Sequence, residues 1–382
     1  MTPLLLNFQF SIPNPVSPPP SRAEAVVYAT DYIRCGAELR ACGAEILREF
    51  PFIGAYGVRA GESGAEALSG AGFVQAVAPH SAASVQMRVA REILDVGALH
   101  AAGIYGQGVT VAIIDTGVYP HLDFMLPENR LLAFVDFLER RGEPYDDNGH
   151  GTFVAGAAVG NGLKSSGLFR GVAPRANLIA LRAMDKKGEG GAFGILEAMQ
   201  WIYFHAEEYN IRVACMSFGS DRPPGRDPLI DGAEALWDKG ITVVAAAGNS
   251  GPRAATIKSP GASSAILTVG GMDDGRRQGG GEERYRVADF SSRGPVGNLI
   301  KPDIIAPAVN IVSASNDDEN YYSKMSGTSV AAPMVAGLAC LLLCKNPELT
   351  PDRIKKILMS NAKSIRFDRN AEGSGFARAR LF

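Results

Sequence analysis

Two patterns of apolar residues succeed one another along the chain. Between residues 22 and 83, short apolar runs alternate with Ala- and Leu-rich stretches. Alternation over so few residues favours a small α+β sheet. The pattern predicts strands at Ala25–Tyr28, Ile53–Val58 and Val74–Val77, and helices at Ala37–Phe50 and Ala65–Leu68.

From residue 84 to residue 382 the alternation becomes longer. Runs that are apolar at every position are typical of parallel strands covered by helices on both faces. This segment therefore predicts an α/β fold. Strands are predicted at Val109–Ile114, Leu178–Leu181, Val213–Phe218, Ile241–Ala247 and Ile266–Val269, and helices at Phe193–Glu208, Ile230–Lys239, Ser329–Cys344 and Pro351–Ser360.

Two segments fit neither pattern. Residues 1–21 are rich in proline and predict an extended tail. They lack the basic start and the long apolar core of a secretory signal. The Gly- and charge-rich segment Asp273–Arg286 cannot supply a core, so we expect a surface insertion there. The expected organisation is a tail (1–21), a small domain (22–83) and a large domain (84–382).

Composition narrows the classes of function. Lys and Arg total 38 against 40 Asp and Glu, a net charge of −2 that offers no basic surface for nucleic acid or anionic membrane. The apolar runs fall short of the ~20 residues of a membrane span. Five sparse cysteines suit free thiols in a reducing compartment. We therefore expect a cytoplasmic protein, with export by a non-classical route as the alternative.

Four polar residues stand in unusual local settings. Asp115 ends an apolar strand, and His150 lies between two glycines before an apolar helix. Asn249 follows a buried strand in AAAGNSG, and Ser329 leads a small-residue helix in MSGTSVAAPMVAG. Singly, each has a plainer interpretation as a cap or turn residue. Together they provide the carboxylate, imidazole, amide donor and hydroxyl that amide hydrolysis by a serine requires.

The order Asp, His, Ser along the chain is the order found in subtilisin. The segments IIDTGV, NGHGTFVAG, AAAGNSG and GTSVAAPMVAG resemble the signatures of the subtilisin-like serine proteases, the subtilases. The resemblance covers roughly residues 95–382. Phe153 and Met334 stand where the family often has His, but neither is a triad position.

The resemblance implies a serine endopeptidase with a three-layer subtilisin-like fold. By it, Ser329 is the nucleophile, His150 the general base and then acid, and Asp115 the group that orients the imidazole. The Asn249 amide and the Ser329 N–H form the oxyanion hole. The implied substrate-binding residues are Gly188, Gly190, Ser217, Phe218, Gly219, Ala246, Ala247, Gly248 and Lys258.

The resemblance also implies that residues 22–83 are a propeptide. Such a domain assists folding, blocks the cleft and is removed by self-cleavage, which we expect near Ala83–Ser84. An unrelated accessory domain is the alternative. The expected partners are polypeptide substrates and this propeptide. Catalysis requires no cofactor, but the family often binds structural calcium, and Asp123 with the loop 160–174 is the position at which to look for it.

Three alternatives remain open at this stage. A subtilase fold used only for binding is one, although all triad residues are present. An esterase of the α/β-hydrolase type is another, but it requires Gly-x-Ser-x-Gly and an acid after the serine. The third concerns Lys258. Its ammonium either lies at the base of the substrate pocket and favours acidic side chains, or points outward so that only its stem lines the wall.

Overall fold

The computed structural model describes residues 22–51, 54–61, 71–79, 86–275, 281–317 and 321–379. The chain divides into two compact units, residues 1–84 and 85–382. The first is a four-stranded antiparallel sheet in the order β2–β3–β1–β4. One helix closes its core around Val27, Leu39 and Tyr56. Its elements are β1 (Arg22–Ala29), α1 (Tyr32–Ala41), β2 (Glu45–Phe50), β3 (Ala55–Gly61) and β4 (Val74–Pro79).

The long helix predicted over Ala37–Phe50 is wrong in its second half. Helix α1 ends at Ala41, and Gly43 takes a left-handed conformation with φ +77°. Glycine adopts this conformation at little cost, and it stops the helix. The chain then turns into β2, which pairs with β3. The predicted helix at Ala65–Leu68 and the tail 1–21 lie outside the described residues.

The second unit alternates strands and helices. Its strands are β5 (Thr110–Asp115), β6 (Leu131–Asp136), β7 (Asn177–Arg182), β8 (Ile211–Met216), β9 (Thr242–Ala246), β10 (Leu267–Asp273), β11 (Arg286–Val287), β12 (Ile304–Pro307), β13 (Ile311–Ala314) and β14 (Tyr322–Met325). Its α-helices are α2 (Gln86–Ile93), α3 (Gly97–Ala101), α4 (Leu122–Met125), α5 (His150–Val159), α6 (Ala192–His205), α7 (Pro228–Asp238), α8 (Thr328–Lys345), α9 (Pro351–Asn361) and α10 (Arg369–Glu372).

An eight-stranded sheet forms the middle layer. Its order is β11–β10–β9–β8–β5–β7–β6, with β12 paired to β10. All of its pairings are parallel except that of β11 with β10. Val111 and Ile113 of β5 enter a core shared with α5 and α8, whereas Ala112 and Ile114 enter the core shared with α6 and α7. Burial on both faces explains the uninterrupted apolar runs and confirms the α/β prediction.

The region predicted as a surface insertion is partly built into the sheet. Strand β10 continues to Asp273, and the short β11 pairs with it in antiparallel register. Residues 281–284 between them are exposed, and residues 276–280 lie outside the described part of the chain.

One described helix, α8, is long and apolar enough to cross a membrane, but 83% of its apolar window is buried inside the protein. Its composition is that of a core helix.

Candidate active site

The four candidate residues reach the same edge of the parallel sheet. Asp115 is the last residue of β5, and Asn249 lies three residues after the end of β9, two strands away in the sheet. His150 is the first residue of α5, and Ser329 is the second residue of α8. Open α/β sheets place their ligands at the carboxyl ends of the strands, where these loops converge.

Asp115 and His150 form a short hydrogen bond. His150 Nδ1 lies 2.7 Å from Asp115 Oδ1. The Asp115 side chain is 1% exposed and that of His150 is 27% exposed. The Thr116 N–H donates to the same Asp115 oxygen at 2.8 Å, whereas Oδ2 has no hydrogen-bond partner within the described residues. The contact holds the imidazole with Nδ1 toward the carboxylate and leaves Nε2 for chemistry.

The environment raises the pKa of His150. Burial acts to lower it, because a charged imidazolium is poorly solvated there. The charge and hydrogen bond of Asp115, joined by the charge of Asp146, outweigh burial, and the net pKa lies above the ordinary value. An imidazole stabilised in its protonated form is suited to accept a proton during a reaction.

Asp146 ties together the two loops that carry Asp115 and His150. It is 5% exposed. Its Oδ1 accepts from Thr116 Oγ1 at 2.9 Å and from Gly149 N at 2.8 Å. Its Oδ2 accepts from the N–H and hydroxyl of Thr152 at 2.9 and 2.6 Å. Asp146 was not among the residues predicted from the sequence, although its place four residues before His150, at the start of a glycine-containing turn, was a usable signal.

Glycine is required where these two loops meet. A Cβ on Gly151 would lie 2.1 Å from the carbonyl oxygen of Gly117, a distance that no side chain tolerates. The Gly151 N–H donates to Thr116 Oγ1 at 2.9 Å across the same contact. The glycine that follows His150 therefore permits the approach that brings the imidazole to Asp115.

Asn249 is held by the residue that precedes the candidate nucleophile. Its Oδ1 accepts from the N–H and from the hydroxyl of Thr328, at 2.9 and 3.0 Å. Because Oδ1 accepts both of these hydrogen bonds, the amide is oriented with Nδ2 available as a donor. A Cβ built on Gly327 would lie 3.1 Å from Ser329 Oγ and 3.4 Å from Asn249 Nδ2, so both atoms flank the same position. Thr328 was not among the site residues predicted from the sequence.

His150, Asn249 and Ser329 line one cavity of about 450 Å³. Seven of the nine predicted substrate-binding residues also line it: Gly188, Ser217, Phe218, Gly219, Ala246, Gly248 and Lys258. Ala247 does not, because its side chain packs with Ile257 and Ala262. Gly190 also lies outside the lining, in an exposed turn where a Cβ would meet the carbonyl oxygen of Ala183 at 2.6 Å.

Lys258 lies at the far end of this cavity with its stem, not its charge, against the walls. A Cβ on Gly219 would meet Lys258 Cβ at 2.8 Å, and one on Gly248 would meet its Cγ at 2.5 Å. The ammonium turns away to an ion pair with Asp221. This arrangement agrees with the outward alternative of the sequence analysis.

The residues around Asp123 do not fit calcium. Its buried carboxylate accepts from Lys164 N at 3.1 Å and from the Tyr322 hydroxyl at 2.8 Å. Burial and the Asp123 charge raise the pKa of Tyr322, so that its hydroxyl stays protonated. The Lys164 ammonium lies 3.8 Å from the centre of the Tyr321 ring in the same cluster. Calcium requires several oxygen ligands, and here both carboxylate oxygens already accept hydrogen bonds from N–H and O–H donors.

Comparisons with known proteins identify the family of this chain. Residues 106–378 match the model of the subtilase family of peptidases. Serine protease AprX of Bacillus subtilis (strain 168) is 42% identical over 295 residues, which cover 72% of this chain and 66% of that protein. Subtilisin Savinase of Lederbergia lenta is 34% identical over 284 residues, which cover 74% of this chain and 93% of that protein.

Solved structures give the same assignment. The structure of Sphericase superposes with a TM-score of 0.61 and 30% identity, covering 72% of this chain and 92% of that one. That of the S41 psychrophilic protease gives a TM-score of 0.61 at 33% identity. The chain spans just under two thirds of the length of AprX. It belongs to the subtilase family of subtilisin-like serine proteases.

Proposed function

We propose that this chain is a serine endopeptidase whose triad is Asp115, His150 and Ser329. The observation that carries the proposal is the 2.7 Å bond between His150 and Asp115, at a cavity that Ser329 and Asn249 also line. Family membership supports the reaction class. The geometry supports the assignment of roles.

The reaction begins at Ser329. As its Oγ bonds to the scissile carbonyl carbon, its proton passes to His150 Nε2 and the carbonyl π electrons move to the oxygen. The resulting oxyanion accepts from Asn249 Nδ2 and from the Ser329 N–H at the start of α8. Asp115 stabilises the imidazolium across its bond to Nδ1.

His150 next acts as an acid. It gives its proton to the amide nitrogen as the carbon–nitrogen bond breaks, which releases the first product and leaves an acyl group on Ser329. Water then attacks the acyl carbon while His150 takes one of its protons. Return of that proton to Ser329 Oγ frees the second product and restores the enzyme.

The cleft supports an extended polypeptide as the substrate. The walls formed by 217–219 and 246–248 follow β8 and β9, which are adjacent in the sheet. They form a slot for the side chain that precedes the scissile bond. Gly188 lines the same cavity from the loop after β7, where an exposed backbone can pair with the substrate.

Fluorophosphonate labelling combined with peptide cleavage tests the triad. Wild-type protein is expected to cleave a peptide and to carry one label at Ser329. Ser329→Ala should lose both, whereas Ser360→Ala, which removes an exposed serine on α9, should lose neither. Labelling of a serine other than Ser329 would overturn the assignment.

We further propose that residues 22–83 are a propeptide removed by the enzyme itself, with the cut near Ala83–Ser84. The compact sheet of the first unit supports a separately folded module. Intact mass spectrometry should find wild-type protein shortened at its amino end and Ser329→Ala at 40.4 kDa. An active wild type that retains the full mass would exclude the propeptide.

A further inference from the structure

A lysine–aspartate pair closes the end of the substrate slot. The Lys258 stem passes between Gly219 and Gly248, which face each other from the two walls. The Lys258 N–H donates to the Ala247 carbonyl at 3.0 Å, which fixes the backbone there. A side chain that enters the slot therefore meets the methylene groups of Lys258 before its ammonium.

The Lys258 side chain lies between two cavities. Lys258 lines both the active-site cavity and a neighbouring one of about 810 Å³, and Asp221 lines only the second. The Lys258 side chain is 25% exposed and that of Asp221 is 90% exposed. The Asp221 carboxylate therefore contacts the ammonium from the solvent side and remains hydrated.

Among the described residues, the ionisable side chains that line the active-site cavity are those of His150, Lys187 and Lys258. Ser217, Phe218, Gly219 and Ala246, which form the walls, carry no ionisable group. The Lys258 ammonium also lowers the pKa of the Asp221 carboxyl, through a hydrogen bond and through its charge, so the carboxylate stays ionised. One positive and one negative charge in contact leave the end of the slot close to neutral.

We propose that Asp221 is a specificity-determining residue that keeps the slot selective for apolar side chains by occupying the Lys258 ammonium. The inference rests on the proposed function of the same site. A glutamate entering the slot would lose its hydration and compete with a carboxylate already in place. A leucine-sized side chain buries apolar area against Phe218 and the Lys258 stem without that cost.

The test removes the Asp221 charge and asks whether Lys258 becomes available. The substrates are peptides that differ only in Leu, Gln or Glu before the scissile bond. Asp221→Asn should raise the Glu-to-Gln ratio of kcat/KM about five- to tenfold at low ionic strength, because an unpaired ammonium attracts a carboxylate at short range. The gain should shrink as salt is added.

Two further variants identify the source of the effect. Lys258→Met keeps an unbranched stem without charge, and it should not raise the ratio. The double variant Asp221→Asn/Lys258→Met should match Lys258→Met alone. Asp231→Asn is the matched control, since Asp231 is a partly exposed aspartate that pairs with Arg226 and lines neither cavity. It should leave the ratio unchanged.

Three results would overturn the proposal. They are a wild type that already prefers Glu to Leu, an Asp221→Asn ratio that does not rise, and a rise that persists in the double variant. Failure of the proposed function is distinguished by the absence of both cleavage and fluorophosphonate labelling. If the protein does not cleave peptides, the Glu-to-Gln ratio is measured instead from the binding affinities of peptides that end in Leu, Gln or Glu, with the same variants.

Discussion

The two edges of the central sheet use buried aspartates in opposite ways. At the carboxyl edge, Asp115 bonds to a partly exposed imidazole and keeps one oxygen without a partner in the described chain. At the amino edge, Asp303 precedes β12 and is 6% exposed. Its Oδ2 accepts from Lys301 Nζ and Thr268 N, both at 2.7 Å, and its Oδ1 lies 3.2 Å from Lys355 Nζ.

The partners of the two aspartates indicate that Asp303 stabilises the fold and that Asp115 takes part in the proposed reaction. Every oxygen of Asp303 is bonded to a cation or a backbone donor, as expected of a group that only holds strands together. Asp115 instead has an imidazole partner whose charge must change during the proposed reaction. The amino edge should therefore control unfolding, and the carboxyl edge should control catalysis.

The largest expected effect lies at the carboxyl edge. Ser329→Ala and His150→Ala should each lower kcat by at least about a thousandfold, because neither proton transfer nor attack can proceed. The double variant should be little worse than either single variant, since the residues act as one unit. Steady-state kinetics on one peptide measures all three, and losses that multiply would contradict a shared mechanism.

The amino edge should respond in stability. Asp303→Asn removes the counter-charge of the buried Lys301 ammonium and of the partly buried Lys355 ammonium, and it should lower the free energy of unfolding by about 3–5 kcal/mol. Lys301→Met should cost less, on the order of 1–2 kcal/mol, because Asp303 keeps Lys355 and the Thr268 N–H. Burial already lowers the pKa of Lys301 to about 8, which shows that its charge is costly there.

Denaturant unfolding compares these two variants directly. In both variants, the folded molecules should react with a fluorophosphonate at the wild-type rate. A loss of labelling rate in folded Asp303→Asn would contradict the separation of the two edges.

A smaller effect is expected where Thr328 positions Asn249. Thr328→Val removes the hydroxyl that donates to Asn249 Oδ1 and accepts from Gly248 N. We expect kcat to fall about tenfold with little change in KM, because the oxyanion donor becomes less well oriented. Thr242→Val is the matched control: this buried hydroxyl on β9 has no hydrogen-bond partner in the described chain. Equal losses in both variants would argue for a packing effect.

The smallest expected effect is a shift in pH dependence. Asp146 contributes to the raised pKa of His150. In the proposed mechanism the free enzyme reacts only when His150 is neutral. Asp146→Asn removes that charge, so the acidic limb of kcat/KM should move to lower pH, by a few tenths of a unit to about one unit. Asp147→Asn is the control, since Asp147 pairs with Arg182 instead. A purely structural role for Asp146 would leave the limb in place.

The sequence predicted the residues that meet at the carboxyl edge better than it predicted the elements of the small domain. Triad motifs are short and contiguous, and their glycines mark close approaches such as that of Gly151 to Gly117. The central strands are apolar at every position, so their pattern is clear. The four-residue strand β12 is too short to show a period. In Ala37–Phe50 the break at Gly43 was outweighed by a helix-favouring composition on both sides.

Side-chain partners from distant segments were the other limit. Asp146 contacts Thr116, and Thr328 contacts Asn249, across 30 and 79 positions of the chain. The direction of the Lys258 ammonium depends on Asp221, 37 residues earlier. Such pairs exist only once the strands have been assembled, so spacing along the chain does not reveal them.

The pH dependence of the rate at which a fluorophosphonate labels Ser329 tests most directly whether His150 activates this serine. If His150 activates Ser329, the rate should rise about tenfold per pH unit at acidic pH and level off above the pKa of His150, which lies above its ordinary value. His150→Ala should abolish the rise and most of the labelling. If His150→Ala labelled Ser329 at the wild-type rate, His150 would not be the base that activates this serine.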